Sequence, residues 1–372
     1  MAKTKLEHFA DMKTMDCVFE PLLETLQNDE FPMKGNWSKD FFKNDNPIIV
    51  ELGCGKGEYT VGLAKKYPNH NYIGIDVKGA RIWYGADAVR SLELDNAAFV
   101  RIRIDFLKAI FAENEIDQIW LTFSDPQKEK PRKRLTSKMF MDRFKHVLKP
   151  GGHFVFEVHY LNNLVDGNQW DNIYHEHIYY YSISALNNFF TKYGMTVVDF
   201  EEIPIHAGSI RVTVLNNSVD TPDNIFQRIM EEHSTIGNPN YMLDFTDKVK
   251  NHIIDFNTEI KRLSKDYKIA GYGASGRANM FCNLTNLDEN VVQFIVDESP
   301  ERCGRYIANT KIPIVDVDTL KNSDVDLIII FAWNSSKMII EKTQFKNYKY
   351  LVAFPNVQLV DSYDELKGFD SI

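Results

Sequence analysis

Residues 47–57 read Pro47-Ile-Ile-Val-Glu51-Leu-Gly53-Cys-Gly55-Lys-Gly57, an apolar strand that runs directly into a glycine-rich turn. Residues 58–67 then carry a helix, and 71–76 a second strand ending on Asp76. Glycines at such a turn let the backbone come close to a ligand, because no Cβ stands in the way. Asp76 is placed to accept hydrogen bonds from two ribose hydroxyls, and Asp105, after the third strand, to read an adenine amino group. A lone glycine-rich turn says little. Here strand, turn, helix and two later acids agree on one cofactor site.

Outward from this turn the pattern repeats. Strands over 97–105, 118–126 and 153–161 alternate with helices around 79–92 and 137–148. That alternation predicts an α/β fold, a parallel sheet covered on both faces. Strands over 195–205 and 209–217 close it as an antiparallel pair, and 217–224 is the expected linker. The first 46 residues read as irregular. Residues 161–181 read as a long substrate-facing insert. Met242, Phe245, Val249, Ile253, Phe256, Ile260 and Leu263 recur at steps of three and four, which predicts a long amphipathic helix, a packing strut between lobes. A second, smaller α/β unit starts at Lys268, with strands over 268–273, 291–297, 325–333 and 350–355. The expected division is therefore 1–215, 216–265 and 266–372.

Composition narrows the function classes. The chain has 372 residues, 44% hydrophobic, so two packed domains are expected rather than disorder. Its net charge of −9 argues against a surface that grips nucleic acid throughout. The charge is uneven: residues 1–150 hold 24 Lys and Arg against 22 Asp and Glu, and the remainder 19 against 30. Cys17, Cys54, Cys282 and Cys303 form no C-x-x-C pair, so neither structural zinc nor a disulfide framework is expected. No apolar signal core or membrane span is seen, which suggests a cytoplasmic protein, and no protein partner is indicated.

The E-x-G-x-G-x-G turn resembles the S-adenosylmethionine loop of class I methyltransferases. More narrowly, residues 1–152 resemble the bacterial tRNA guanine-N7 methyltransferases, through FADM, FPMKGNW, the stretch from FFKNDNPIIVELGCGKG to AKKYP, IGIDVKGARIW, IWLTFSDPQ and KRLTSKMF. The resemblance implies a Rossmann-like domain holding S-adenosylmethionine, with Glu51, Gly53, Gly55, Gly57, Asp76, Asp105 and Asp125 at the cofactor or acceptor site. It also implies that Lys128, Lys130, Arg132, Lys133, Arg134 and Lys138 meet RNA phosphates, whose charge such side chains neutralise. Glu129 stands where a substrate-contacting lysine is expected. The family's C-terminal Thr/Glu guanine-pocket motif does not follow residue 152.

From about 150–153 onward the chain resembles a different family, the nucleotide-sugar C-methyltransferases that act on 4-keto deoxysugars. The matching stretches are FEVHYL, IYHEHIYYYSISAL, IPIHAGSIRVTV, GYGASGRANM, FIVDESPERCGRY and KIPI. That family's cysteine-rich N-terminal zinc domain has no counterpart here. The resemblance implies that Tyr174, Glu176 and His177 are catalytic, with His159, His206, Ser209 and Arg211 near the acceptor. A carbon beside a ketone becomes nucleophilic only after losing a proton, and a histidine suits that task. Tyr174 is then expected to donate to the enolate oxygen and Glu176 to orient the imidazole. In a strand His175 and His177 would share one face, leaving a metal reading with His159 and His206 open but less favoured. Gly271-Tyr-Gly273-Ala-Ser-Gly276, with Asp297 further on, fits a dinucleotide fingerprint by itself. The resemblance instead places it in the sugar enzymes' second Rossmann-like lobe.

Together these readings predict an S-adenosylmethionine-dependent methyltransferase, leaning to a nucleotide-linked keto sugar as acceptor. A tRNA substrate is the alternative, and a non-catalytic composite protein the third reading.

Overall fold

The computed structural model describes residues 4–368. They form two compact units. The first comprises residues to Val158, Ile183–Glu201 and Ile210–Arg228, and the second His159–Ser182, Glu202–Ser209 and the chain from Ile229 on. This differs from the division at residue 215. The expected insert and residues 202–209 group with the C-terminal unit.

The first unit is built on a sheet of β1 (Val18–Phe19), β2 (Ile48–Leu52), β3 (Asn71–Asp76), β4 (Ala97–Arg101), β5 (Ile116–Thr122), β6 (Leu148–His159), β7 (Thr196–Ile203) and β8 (Ser209–Leu215). Their order is β1-β4-β3-β2-β5-β6-β8-β7. The pairs from β1 through β6 are parallel. Every residue of β2 is buried, as a strand covered on both faces requires. The ends of β6 and β8 pair Gly152 with Asn216 and Tyr160 with Gly208, so these two strands run in opposite directions. β7 and β8 are joined by residues 204–208 alone, too short for a parallel crossover. The expected antiparallel closure is therefore present.

Residues 4–46 are more ordered than expected. They contain the helices Lys5–Met12 and Leu23–Gln27, the strand β1 and a π-helical turn at Trp37–Phe42. These elements are too short to show a period, and their order comes from burial. Trp37 is fully buried, donates from Nε1 to the Ile110 carbonyl (3.0 Å) and packs among Phe19, Phe31, Phe41 and Phe111.

The join between the two resemblances falls inside β6, where the pairing with β5 shifts register between Leu148 and His153. Phe144, before the join, stacks on Phe154, after it, at 5.7 Å, and Phe154 meets Phe190 at 5.6 Å. Asn216 donates to the Leu148 and Lys149 carbonyls (3.1 Å each). These ring contacts and hydrogen bonds tie the two sides of the seam together.

The second unit has strands β9 (Ile269–Tyr272), β10 (Val292–Val296), β11 (Ile314–Val315), β12 (Leu327–Ile330), β13 (Lys349–Val352) and β14 (Gln358–Val360). Their order is β11-β10-β9-β12-β13-β14, parallel except for the last pair. The expected amphipathic helix spans Pro239–Leu263. Its Phe245, Phe256, Ile260 and Leu263 join the core of this unit. Residues 161–181 are no free loop. Trp170 is buried, stacks on Phe281 (5.1 Å) and donates to His252 Nδ1 (2.9 Å). His252 then carries its hydrogen on Nε2, 2.6 Å from the Ala353 carbonyl.

Candidate functional site

At the carboxyl ends of β2 to β5 the first unit opens into a cleft of about 670 Å³, lined by Gly53, Asp76, Asp105, Asp125, Lys133 and Phe140 among others. Gly53, Gly55 and Gly57 all have positive φ. A Cβ on Gly53 or Gly55 would meet nothing within 4 Å, whereas one on Gly57 would lie 2.6 Å from the Phe99 ring. The first two glycines therefore face open space and the third faces core. Asp76 braces the turn, accepting from the Gly55 N–H (3.0 Å) through one oxygen and the Lys78 N–H (2.7 Å) through the other. A carboxylate has about four acceptor sites, so capacity for a ribose diol remains.

The other expected contacts divide. Asp105 lines the cleft but is held by the Arg103 guanidinium (Nε, 2.9 Å). Asp125 lines it too and accepts from the Gln127 N–H (2.8 Å). Glu51 is not a wall of the cleft. It is 6% exposed, and its Oε2 accepts from the Thr60 N–H (2.9 Å) and hydroxyl (2.5 Å). Burial pushes its carboxyl up to about 7, against the pull of those two bonds. Glu51 thus shapes the turn by anchoring the helix Glu58–Lys66.

The basic run forms a loop after β5. Lys128, Lys130, Arg132 and Lys133 are exposed, and Lys133 reaches the cleft. Arg134 does structural work, donating to the Pro126 carbonyl (2.7 Å), and Lys138 pairs with Asp142 (2.7 Å).

Arg211 departs from its expected role beside the acceptor. Its Nε lies 2.5 Å from Glu157, which is fully buried and also accepts from the Tyr59 hydroxyl (2.7 Å). Its Nη1 pairs with Glu201 (2.9 Å), and its guanidinium lies over Trp120 (5.3 Å). This network was not legible in the sequence, because its members sit on five separate elements.

The second unit gathers the histidines. The rings of His159 and His177 are 5.3 Å apart, and those of His159 and His206 5.8 Å. His177 Nε2 is 3.0 Å from the Tyr174 hydroxyl, and its Nδ1 is 3.1 Å from the Asn172 carbonyl. That carbonyl, and not Glu176, orients the imidazole. Glu176 is 70% exposed and lies 4.0 Å from His175. The segment is also a turn rather than a strand, closed by the His177 N–H on the Tyr174 carbonyl (2.9 Å), so His175 points away into solvent. Ser209 is buried, its hydroxyl donating to the Ile205 carbonyl (2.8 Å), a structural contact. Burial, with Arg277 and His206 adding to it, holds His177 below its ordinary value despite the Asn172 bond. Burial first, then the positive charge that His177, Arg277 and His206 carry or can take up, brings His159 down to about 3. Both rings are neutral at pH 7. Among the described residues no group of three or more His, Cys, Asp or Glu side chains is placed to hold a metal ion.

Two neighbours escaped the sequence reading. Asp171 is fully buried, accepts from Trp333 Nε1 (2.8 Å) and is pushed up to about 6 by burial. Arg277 lies over Trp333 (5.2 Å) and approaches the His206 carbonyl (3.4 Å). The second glycine turn differs from the first. A Cβ on Gly271 would strike Phe331, on Gly273 Ala332, and on Gly276 the Tyr174 ring at 2.4 Å. Asp297, the fingerprint acid, is buried and holds the Ala274 and Ser299 N–H groups and Arg302. Protein atoms stand where a Cβ on each of these glycines would lie.

The comparisons with known proteins differ between the two parts of the chain, the first match running past the join to residue 167. A family model described as "Putative methyltransferase" matches residues 45–167, and one described as "C-methyltransferase C-terminal domain" matches 204–355. Tyr174, Glu176 and His177 lie between the two matches. The tRNA (guanine-N(7)-)-methyltransferase of Bacteroides fragilis is 52% identical over 152 residues, 41% of this chain and 60% of that protein. Its counterpart in Bacteroides thetaiotaomicron is 46% identical over 177 residues, 45% of this chain and 69% of that protein. The chain thus spans about 60% of the length of the first relative. The cofactor of these methyltransferases is S-adenosylmethionine, and the residues fit it: an open glycine cradle, an acid at the end of β3 and a partly apolar cleft. Residues 204–355 are similar to a C-methyltransferase C-terminal domain, and through the half that carries this cleft the chain belongs to the tRNA (guanine-N(7)-)-methyltransferase family of S-adenosylmethionine-dependent enzymes.

Proposed function

We propose that the protein transfers a methyl group from S-adenosylmethionine to a carbon beside the ketone of a nucleotide-linked 4-keto deoxysugar. When bound, the cofactor supplies an electrophilic methyl on a sulfonium sulfur. The single observation that carries the reading is the Tyr174–His177–Asn172 arrangement, a neutral imidazole with one nitrogen pinned by a carbonyl and the other on a tyrosine hydroxyl. Such a pair can take the proton that must leave before carbon attacks. The match of residues 204–355 to a C-methyltransferase domain supports the same acceptor class. In this reading Asp76 and the Gly53–Gly55 backbone bind the cofactor, and the Tyr174–His177 pair is the base. A cytoplasmic setting follows from either acceptor. No helix among the described residues is long and apolar enough to cross a membrane.

A second reading, methylation of guanine N7 in tRNA, is favoured by the exposed Lys128, Lys130 and Arg132 beside Lys133 at the cleft, and by the relatives' names. Guanine N7 presents a lone pair and no proton, so it needs positioning rather than a base.

The test is transfer of labelled methyl from S-adenosylmethionine by one purified sample, split between unmodified bacterial tRNA and a panel of dTDP-4-keto sugars. Label in the sugar supports the proposal. Label in tRNA alone overturns it in favour of the second reading, and label in neither leaves a non-catalytic composite.

A further inference from the structure

The hydrogen bonds around His177 assign its protons. The Asn172 carbonyl can only accept, so the Nδ1 facing it at 3.1 Å carries the hydrogen. In the neutral ring Nε2 then holds the lone pair, and the Tyr174 hydroxyl, 3.0 Å away, donates to it. The lone pair that a base requires is therefore already covered by Tyr174. The Tyr174 oxygen keeps acceptor capacity of its own.

Tyr174 is also seated. Its ring centroid is 4.2 Å from that of His177. The ring also lies against Gly276, where a Cβ would come within 2.4 Å of Cε2 and 2.9 Å of Cδ2 and Cζ. The third glycine of the second turn thus leaves room for a tyrosine.

We propose that Tyr174 is the catalytic residue that meets the acidic carbon, that His177 stores the proton behind it, and that Gly276 is the positioning residue for the pair. The proposal rests on the C-methylation reading. As the carbon–hydrogen bond beside the ketone breaks, its electron pair becomes the enolate double bond and the carbonyl pair moves to oxygen. The proton goes to the Tyr174 oxygen, while the tyrosine's own hydroxyl proton passes to His177 Nε2. The products are an enolate, a neutral tyrosine and an imidazolium whose Nδ1–H never leaves Asn172. A histidine acting alone would need Tyr174 to swing off Nε2, and Gly276 and the packed ring face oppose that.

Proton removal can be read without methyl transfer. The full chain is incubated in D2O with a dTDP-4-keto-6-deoxy sugar and no S-adenosylmethionine, and NMR follows loss of the hydrogens beside the ketone. The unmodified protein should exchange them. Tyr174→Phe and His177→Asn should each slow exchange by about 100-fold or more, the usual share of a general base. Gly276→Ala should slow it by roughly tenfold or more, as expected when a catalytic group is misplaced. All three should bind S-adenosylmethionine like the unmodified chain, which a merely unfolded variant would not. Full-rate exchange by Tyr174→Phe, which uncovers Nε2, would overturn the relay and leave His177 as a direct base. If Tyr174→Phe does not fold, unchanged exchange by Gly276→Ala overturns it instead. No exchange by the unmodified protein with any sugar of the panel would overturn the C-methylation reading, and this proposal with it.

Discussion

Alanine at Gly53 and alanine at Gly57 should act through different physics, although both glycines stand in one turn. Both have positive φ, near 76° and 78°, where a side chain costs about 1–2 kcal/mol. At Gly53 the added methyl meets nothing within 4 Å, so strain is the whole stability cost. At Gly57 the methyl would sit 2.6 Å from Phe99, a fully buried ring. Overpacking of that kind adds about 1–3 kcal/mol, giving about 2–5 in all. The order reverses for ligand binding. Gly53→Ala puts its methyl into the open cradle and should weaken S-adenosylmethionine at least tenfold, about 1.4 kcal/mol. Urea unfolding reads the first quantity and calorimetry the second. Cofactor affinity unchanged in Gly53→Ala would refute the cradle. Equal stabilities for the two variants would refute the distinction between open space and core.

Asp76→Ala should weaken S-adenosylmethionine whatever the acceptor; unchanged affinity by calorimetry would remove Asp76 from the site. His177→Asn should abolish methyl transfer to sugar and spare any transfer to tRNA; equal loss of both with the fold intact would contradict a role for His177 confined to proton removal from the sugar. Arg211→Ala leaves the fully buried Glu157 without its cation and should cost about 3–5 kcal/mol in urea unfolding; a loss under 1 kcal/mol would show Glu157 satisfied by other means. Folded His159 resists protonation until about pH 3, whereas an unfolded histidine takes a proton near 6.5. The unfolded chain therefore binds more protons between those values, and His159 should lower stability progressively as pH falls from about 6.5 towards 3. Comparing unfolding of the unmodified chain and His159→Phe at pH 7 and pH 5 tests this: identical pH slopes would exclude His159 as the cause.

The two glycine turns show how far motifs carry and where they stop. Both fit a strand–turn–helix pattern, and from residue types alone both suit a nucleotide. Only the neighbours of each missing Cβ separate them: open space at Gly53 and Gly55, and Phe331, Ala332 and Tyr174 at Gly271, Gly273 and Gly276. The acids divide likewise. Asp76 was legible because it ends a strand next to the turn. Glu51, two residues from Gly53, was misplaced because its partner Thr60 lies on the following helix. Arg211 looked like an acceptor contact until Glu157 and Glu201 were seen to hold it.

What the sequence by itself determined was the alternation of strands and helices, the two glycine turns, the join near residue 150 and the cofactor class. These depend on spacing along a few consecutive residues, and short-range backbone preferences and apolar periodicity encode such spacing directly. What only the tertiary structure decided was which atoms face which. It gathered Phe19, Phe31 and Phe41 around Trp37, moved residues 159–182 into the C-terminal unit, packed Phe144 on Phe154 across the join, gave His177 to Asn172 instead of Glu176 and laid Tyr174 on Gly276. Each is a contact whose strength comes from burial and hydrogen-bond geometry between distant parts of the chain, and no local pattern in either partner specifies the other.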